Sequence, residues 1–250
     1  MATIDTDAVV LRTLRYGESD AILALLTPGL GRVSAIAKGA RKPTSKQGGR
    51  LQPGVRLHAT LAEGRGDLMT LRGTQVIDAG AGLWMDGYRL RAAGCVLEAA
   101  LRVVPEHEDA ERAYNLITRA LALIAAAPAR DEPPRLDPYV LGTQAKLLAT
   151  SGLVPHLASC AACGGPPPLE GFSATAGGAV CGACYVGSGA EALEPAAADA
   201  LVALLARPLA EAPECLAQGA APGSAQGAER LIALMFREHL GVTLKSGTPL

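Results

Sequence analysis

Two pairs of cysteines constrain this chain more than any other feature. Cys160-Ala-Ala-Cys163 and Cys181-Gly-Ala-Cys184 are separated by seventeen residues, inside the spacing window that marks four-thiolate metal sites. Two residues between paired cysteines let one turn present both sulfurs to a tetrahedral ion. Gly164, Gly165, Gly182 and the run Pro166-Pro167-Pro168 permit the tight bends this requires. The intervening segment has almost no core of its own, so a bound metal is expected to hold it. The expectation is one structural zinc ion per chain on Cys160, Cys163, Cys181 and Cys184, because four thiolates leave no position open for catalysis. Two disulfides or a redox-active pair are the competing readings, but no βαβ pattern surrounds the cysteines. His156 lies four residues before Cys160 and is unnecessary as a ligand when the thiol set is complete. Cys95 and Cys215 stand alone on apolar helical patterns and read as small core residues.

The charges are unevenly distributed. Residues 1 to 72 hold eleven Lys/Arg and six Asp/Glu, a balance of +5, and the remainder holds twelve against eighteen, or -6, giving the net -1 of the chain. From Arg32 to Arg56 there are seven cations, Arg32, Lys38, Arg41, Lys42, Lys46, Arg50 and Arg56, and no acid. Such a block is the electrostatic footprint of nucleic-acid binding, since nothing local neutralises it and a polyanion would. Together with Arg15 on the preceding strand, these eight residues are the candidate DNA contacts. An anionic membrane is the weaker partner because no basic amphipathic helix is present, and no apolar run approaches the ~20 residues of a spanning helix. The opening MATIDTDAVV lacks a basic, then apolar, secretory pattern, so a cytoplasmic, nucleoid-associated location is expected.

Length and patterning divide the chain into parts of different character. At 250 residues it exceeds one ordinary compact domain. Between residues 8 and 77, apolar and polar residues roughly alternate, predicting five strands near Val9–Arg15, Ala21–Thr27, Arg32–Lys38, Val55–Ala62 and Leu68–Ile77. Five short strands fit a Greek-key OB barrel over residues 1 to 82, with an SH3-like barrel as the alternative. The connection GARKPTSKQGGRLQPG has no apolar periodicity and should be mobile. After Trp84 the period becomes helical, and Leu90, Ala93, Val96, Leu97, Ala100, Leu101 and Val104 share one face. Further helices are predicted near 109–126, 136–151, 195–206, 208–217 and 225–240. The fold class is therefore α+β and multidomain: the barrel, an α-helical domain over 83–155 and 190–250, and an inserted four-cysteine zinc module over 156–189.

Nothing in the sequence supplies catalytic machinery. GxxxxGK[ST], HExxH, GxSxG and a dinucleotide-type Gly-rich turn are all absent. The four histidines are scattered, and Glu106, Glu108, Asp109 and Glu111 read as acids favoured in a first helical turn. Residues 1 to 83 contain one aromatic, Tyr16, so affinity for a nucleic acid must come mainly from phosphate contacts, which single and double strands both offer.

The segment VVLRTLRYGESDAILALLTPGLGRVSAIAKGARKPTS, followed by GGRLQPG, resembles the barrel signature of the bacterial RecO family. GLVPHLASCAACG is similar to the start of that family's zinc module, and HLGVTLKSGTPL resembles its closing segment. The resemblance implies a non-enzymatic recombination mediator that binds single- and double-stranded DNA and anneals complementary strands. It also implies partners: RecR, RecF, single-strand-binding protein, and RecA, which such a protein helps to load onto coated DNA. The competing assignment is an RNA-binding accessory factor of translation or transcription, since OB barrels and zinc ribbons occur there too.

Overall fold

The computed structural model describes residues 3–45, 48–64, 66, 68–186, 189–217 and 222–244. Compactness divides the chain into two units, with the boundary between Ala129 and Arg130.

The first unit begins with β1 (Thr3–Tyr16), β2 (Asp20–Thr27), β3 (Gly31–Ala37), β4 (Arg56–Ala62) and β5 (Leu68–Asp78). They close into a barrel in the order β1-β2-β3-β5-β4, with β3 and β5 parallel, which is the five-stranded Greek-key arrangement of an OB-fold. Alternation sends Leu23, Leu25, Val33, Ala35, Leu57, Ala59 and Leu61 into a shared interior. β1 serves two neighbours, pairing with β4 from Thr3 to Val9 and with β2 from Val9 to Tyr16. The register slips between Val10 and Arg12, and the bulge turns the strand around the barrel.

β1 starts at Thr3, well before the Val9 that alternation marks. Its early acids face outward and are used there: Thr60 Oγ1 donates to Asp5 at 2.6 Å, and Asp7 lies 2.9 Å from His58 Nδ1. The basic connection, expected to be mobile, is anchored near both ends among its described residues. Ala40 and Leu51, each 1% exposed, enter the barrel core, and turns are closed by Lys42 N–H to Gly39 O (3.1 Å) and Ser45 N–H to Lys42 O (2.8 Å). Two buried side chains suffice to anchor a loop too short in apolar residues to show periodicity.

After a 3-10 turn at Ala81–Trp84 come α1 (Gly87–Val103) and α2 (Glu111–Ala126). The Asp86 side chain caps α1 by accepting from Arg89 N–H at 2.8 Å. Both helices pack on the outer face of β1 and β2, where Val9 and Leu26 point away from the interior and are nevertheless fully buried. The link between the helices clasps the β2–β3 turn: Arg32 N–H donates to Pro105 O (3.0 Å) and Ala110 N–H to Pro28 O (2.8 Å). Gly31, at φ 57°, leaves room for this approach, since a Cβ there would stand 2.6 Å from the Glu108 carbonyl oxygen.

The second unit is built around α3 (Pro138–Thr150), capped by the Asp137 carboxylate, which accepts from Tyr139 N–H at 2.8 Å. The cysteine-bearing segment follows as β6 (Leu169–Ser173), β7 (Gly178–Cys181), the single turn α4 (Gly182–Tyr185) and β8 (Glu191–Ala192), in a sheet ordered β7-β6-β8. Then α5 (Pro195–Ala206), α6 (Ala212–Ala217) and α7 (Ser224–Leu240) pack with α3. The β6–β7 turn rests on the end of α7, where Thr175 Oγ1 donates to Glu238 Oε1 (2.9 Å) and His239 Nε2 meets Ala174 O (2.8 Å). Among the described residues no helix is long and apolar enough to cross a membrane.

Candidate metal centre and nucleic-acid interface

The four cysteines predicted as ligands converge. Their sulfurs all lie within 4.8 Å of one another, and Cys163 Sγ is 3.8 Å from Cys181 Sγ. A tetrahedron with metal–sulfur bonds of ~2.3 Å has an edge of about 3.8 Å, so the sulfurs are spaced for a zinc ion and well beyond a disulfide bond. Each pair sits on a tight turn. Gly164 N–H donates to Cys160 O and Cys160 N–H to Gly165 O, both at 2.8 Å, while Cys181 ends β7 and Cys184 lies on α4. His156 stands apart: its Nε2 is 2.7 Å from Ser159 Oγ, and its backbone pairs with β7 through Ala179 N–H to His156 O at 2.8 Å.

The thiols divide their protons unequally. The backbone N–H of Cys181, then those of Cys163 and Ala162, hold Cys160 down to about 6 against its burial. Hydrogen bonds with Cys163, then Cys181 and Cys160, push Cys184 up to about 12. Four sulfurs this close cannot all ionise alone, because each new charge opposes the next. A divalent cation supplies the opposing charge that lets the whole set deprotonate, and soft thiolates suit zinc. Both the geometry and the donor chemistry fit the expected ion.

The eight candidate DNA contacts separate into groups. Arg15, Lys38, Arg41, Lys42 and Arg50 are exposed, and none forms an ion pair with another described residue. Arg15 and Arg41 line one cleft of ≈350 Å³ at the end of the barrel, together with Thr13 and Gln52. The corner is organised by Asp20, whose Oδ1 accepts from Gly39 N–H at 2.7 Å, and by Arg41 N–H donating to Ser19 O at 2.8 Å. Arg32 is committed elsewhere, with Nη1 2.8 Å from Glu106 Oε1 and Nε donating to Val104 O at 3.3 Å. Arg56 is half-buried and faces a separate cleft of ≈170 Å³ beside Leu83, Thr118 and Leu121. Lys46 lies outside the described residues.

Sequence reasoning missed a row of side chains beside these cations. Leu14, Ile22 and Ile36 are in register across β1, β2 and β3 on the outer barrel face, with Leu14 43% exposed and the others half-buried. Arg12 flanks the row on one side and Tyr16, 52% exposed, on the other. The bulge at Leu11 hid it. Uninterrupted alternation from the inward Val10 would put Leu14 inside, whereas the extra residue flips the phase and turns it out.

Comparison with known proteins covers nearly the whole chain in two parts. The family model described as Recombination protein O N terminal matches residues 1–79, and that described as Recombination protein O C terminal matches residues 85–248. The DNA repair protein RecO of Anaeromyxobacter dehalogenans (strain 2CP-C) is 37% identical over 249 residues, covering 96% of this chain and 93% of its own. That of Streptomyces griseus is 34% identical over 255 residues, covering 98% of each. That of Cutibacterium acnes is 36% identical over 188 residues, covering 74% of this chain and 75% of its own.

Proposed function

The chain belongs to the RecO family of DNA repair proteins, and from that membership we propose that it acts as a non-enzymatic recombination mediator. In this reading it binds single- and double-stranded DNA and anneals complementary strands. With RecR and RecF it helps RecA load onto strands coated by single-strand-binding protein. The observation that carries the reading is the group of exposed cations Arg15, Lys38, Arg41, Lys42 and Arg50, which pair with no acid among the described residues, two of them, Arg15 and Arg41, lining one cleft.

These cations neutralise phosphates on two strands at once, and so lower the repulsion that opposes pairing. Base edges stay free to find their complements, because a backbone contact carries no sequence preference. Leu14, Ile22 and Ile36 offer an apolar seat for an unpaired base without the strong hold of an aromatic platform. Annealing by this route consumes no nucleotide. Cys160, Cys163, Cys181 and Cys184 would hold zinc, which when bound supplies a cross-link that stabilises the module and takes no part in chemistry.

The test is an annealing assay on complementary strands coated with single-strand-binding protein, with and without RecR. The variant Lys38→Glu, Arg41→Glu, Lys42→Glu is compared with the unaltered chain. We expect annealing without nucleotide, and in the variant a weaker affinity for all sequences alike together with a flatter salt dependence. Unchanged affinity and salt slope in the variant would move the interface to another surface.

A further inference from the structure

We propose that Cys163 is an oxidation site, at which a peroxide converts Cys163 and Cys181 into a disulfide and thereby dismantles the four-thiolate centre. The inference rests on the metal reading given above and adds a reactivity to it. Exposure sets Cys163 apart from the other cysteines, and two further observations favour its reaction. It is exposed, whereas Cys160 is 2% and Cys95 1% exposed. Its neighbours in sequence, Ala161, Ala162, Gly164 and Gly165, carry no bulky side chain. A Cβ at Gly165 would come within 3.3 Å of the Cys163 sulfur, so the glycine leaves that approach open. Finally, a second thiol waits beside it, with Cys181 Sγ at 3.8 Å, close enough for a small side-chain movement to reach the ~2.05 Å of a disulfide.

The chemistry balances with the peroxide as the only oxidant. The Cys163 thiolate attacks the peroxide O–O bond, forming a sulfenic acid and releasing an alkoxide or hydroxide that takes a proton from water. The Cys181 thiolate then attacks the sulfenic sulfur, forming the disulfide and expelling hydroxide. Two electrons leave the pair of thiolates and reduce one peroxide. Cys160 and Cys184 remain, and two donors are too few to complete a tetrahedral site. Cys215 does not compete, because burial foremost raises its thiol above the ordinary range and keeps it protonated. The loss reaches beyond the sulfurs: Cys181 pairs with Leu169 in the β6–β7 ladder, and the turn joining those strands is the part docked on α7.

The full-length chain, purified under reducing conditions and assayed for zinc, is titrated with hydrogen peroxide. Released zinc is followed with a chromogenic chelator, and each thiol by differential alkylation and mass spectrometry. We expect one zinc released for every two thiols lost, a Cys163–Cys181 disulfide before modification of Cys160 or Cys95, and recovery with reductant plus zinc. Zinc retained in excess peroxide, or Cys160 oxidised as fast as Cys163, overturns the proposal while leaving the metal reading intact. A reduced chain that binds no zinc overturns both.

Discussion

Arg32 and Arg41 carry the same charge in the same acid-free block, yet the fold gives them different tasks. Arg32 bonds to Glu106 and Val104, and Arg41 faces the open cleft at the barrel end. Arg32→Met should therefore lower stability by about 1–3 kcal/mol, the usual cost of stranding a charge-assisted hydrogen bond, and leave DNA affinity unchanged. Arg41→Met should do the reverse. Urea denaturation and fluorescence anisotropy with a labelled oligonucleotide, run on both variants, check the pair of outcomes. The block itself was legible because charge density is a property of a stretch of sequence. The partner of Arg32 was not, since Glu106 lies in a segment brought to the β2–β3 turn only by folding. The cysteines were fully legible for the opposite reason: metal-ligand spacing is local, and two turns fix it.

At the scale of elements, helical and strand periods located the helices and barrel strands to within a few residues, apart from the beginning of β1. The strands of the cysteine module escaped notice because β7 and β8 have four and two residues, too few to display a period. What holds them is close backbone approach. A Cβ on Gly178 would lie 2.0 Å from the His156 carbonyl oxygen, so Gly178→Ala should separate that strand pairing and reduce zinc below about half an equivalent per chain. His156→Ala removes only a side-chain contact to Ser159 and should retain full zinc. Cys160→Ala should lose zinc and stability together. Elemental analysis and thermal unfolding of the three variants decide whether the module depends on backbone fit, on thiols, or on the histidine. In the barrel, Gly31→Ala would force Pro105 and Glu108 carbonyls away from the β2–β3 turn and should destabilise the first unit by about 3 kcal/mol, combining a positive φ with a backbone clash.

For the whole molecule, the helical period of α1 and α2 reveals an apolar face but not what covers it; the same pattern serves a helix packed on helices or on a barrel. Val9 and Leu26, outward-facing yet buried, mark the barrel face that the two helices cover. Arg15, Lys38, Arg41, Lys42 and Arg50 stay exposed, and contacts confined mainly to phosphates predict single-stranded and duplex DNA binding within about tenfold of each other, roughly 1.4 kcal/mol. Titration of both at equal length and salt is the measurement, and a hundredfold preference for single strands would assign the dominant role to the Leu14, Ile22, Ile36 row. The parallel pairing of β3 with β5 also sets a timetable for synthesis. β1, β2 and β3 can form a meander as they leave the ribosome, but the edge of β3 at Ser34 finds its partner only at Leu68, 34 residues later. Closing such a span costs about 3 kcal/mol in chain entropy, and the half of β1 that pairs with β4 finds its partner only from Arg56 onward. A released chain truncated before Leu68 should thus be cut by trypsin near Arg41 far faster than one truncated after α2, so the basic loop is exposed on an open sheet before it becomes part of a closed one.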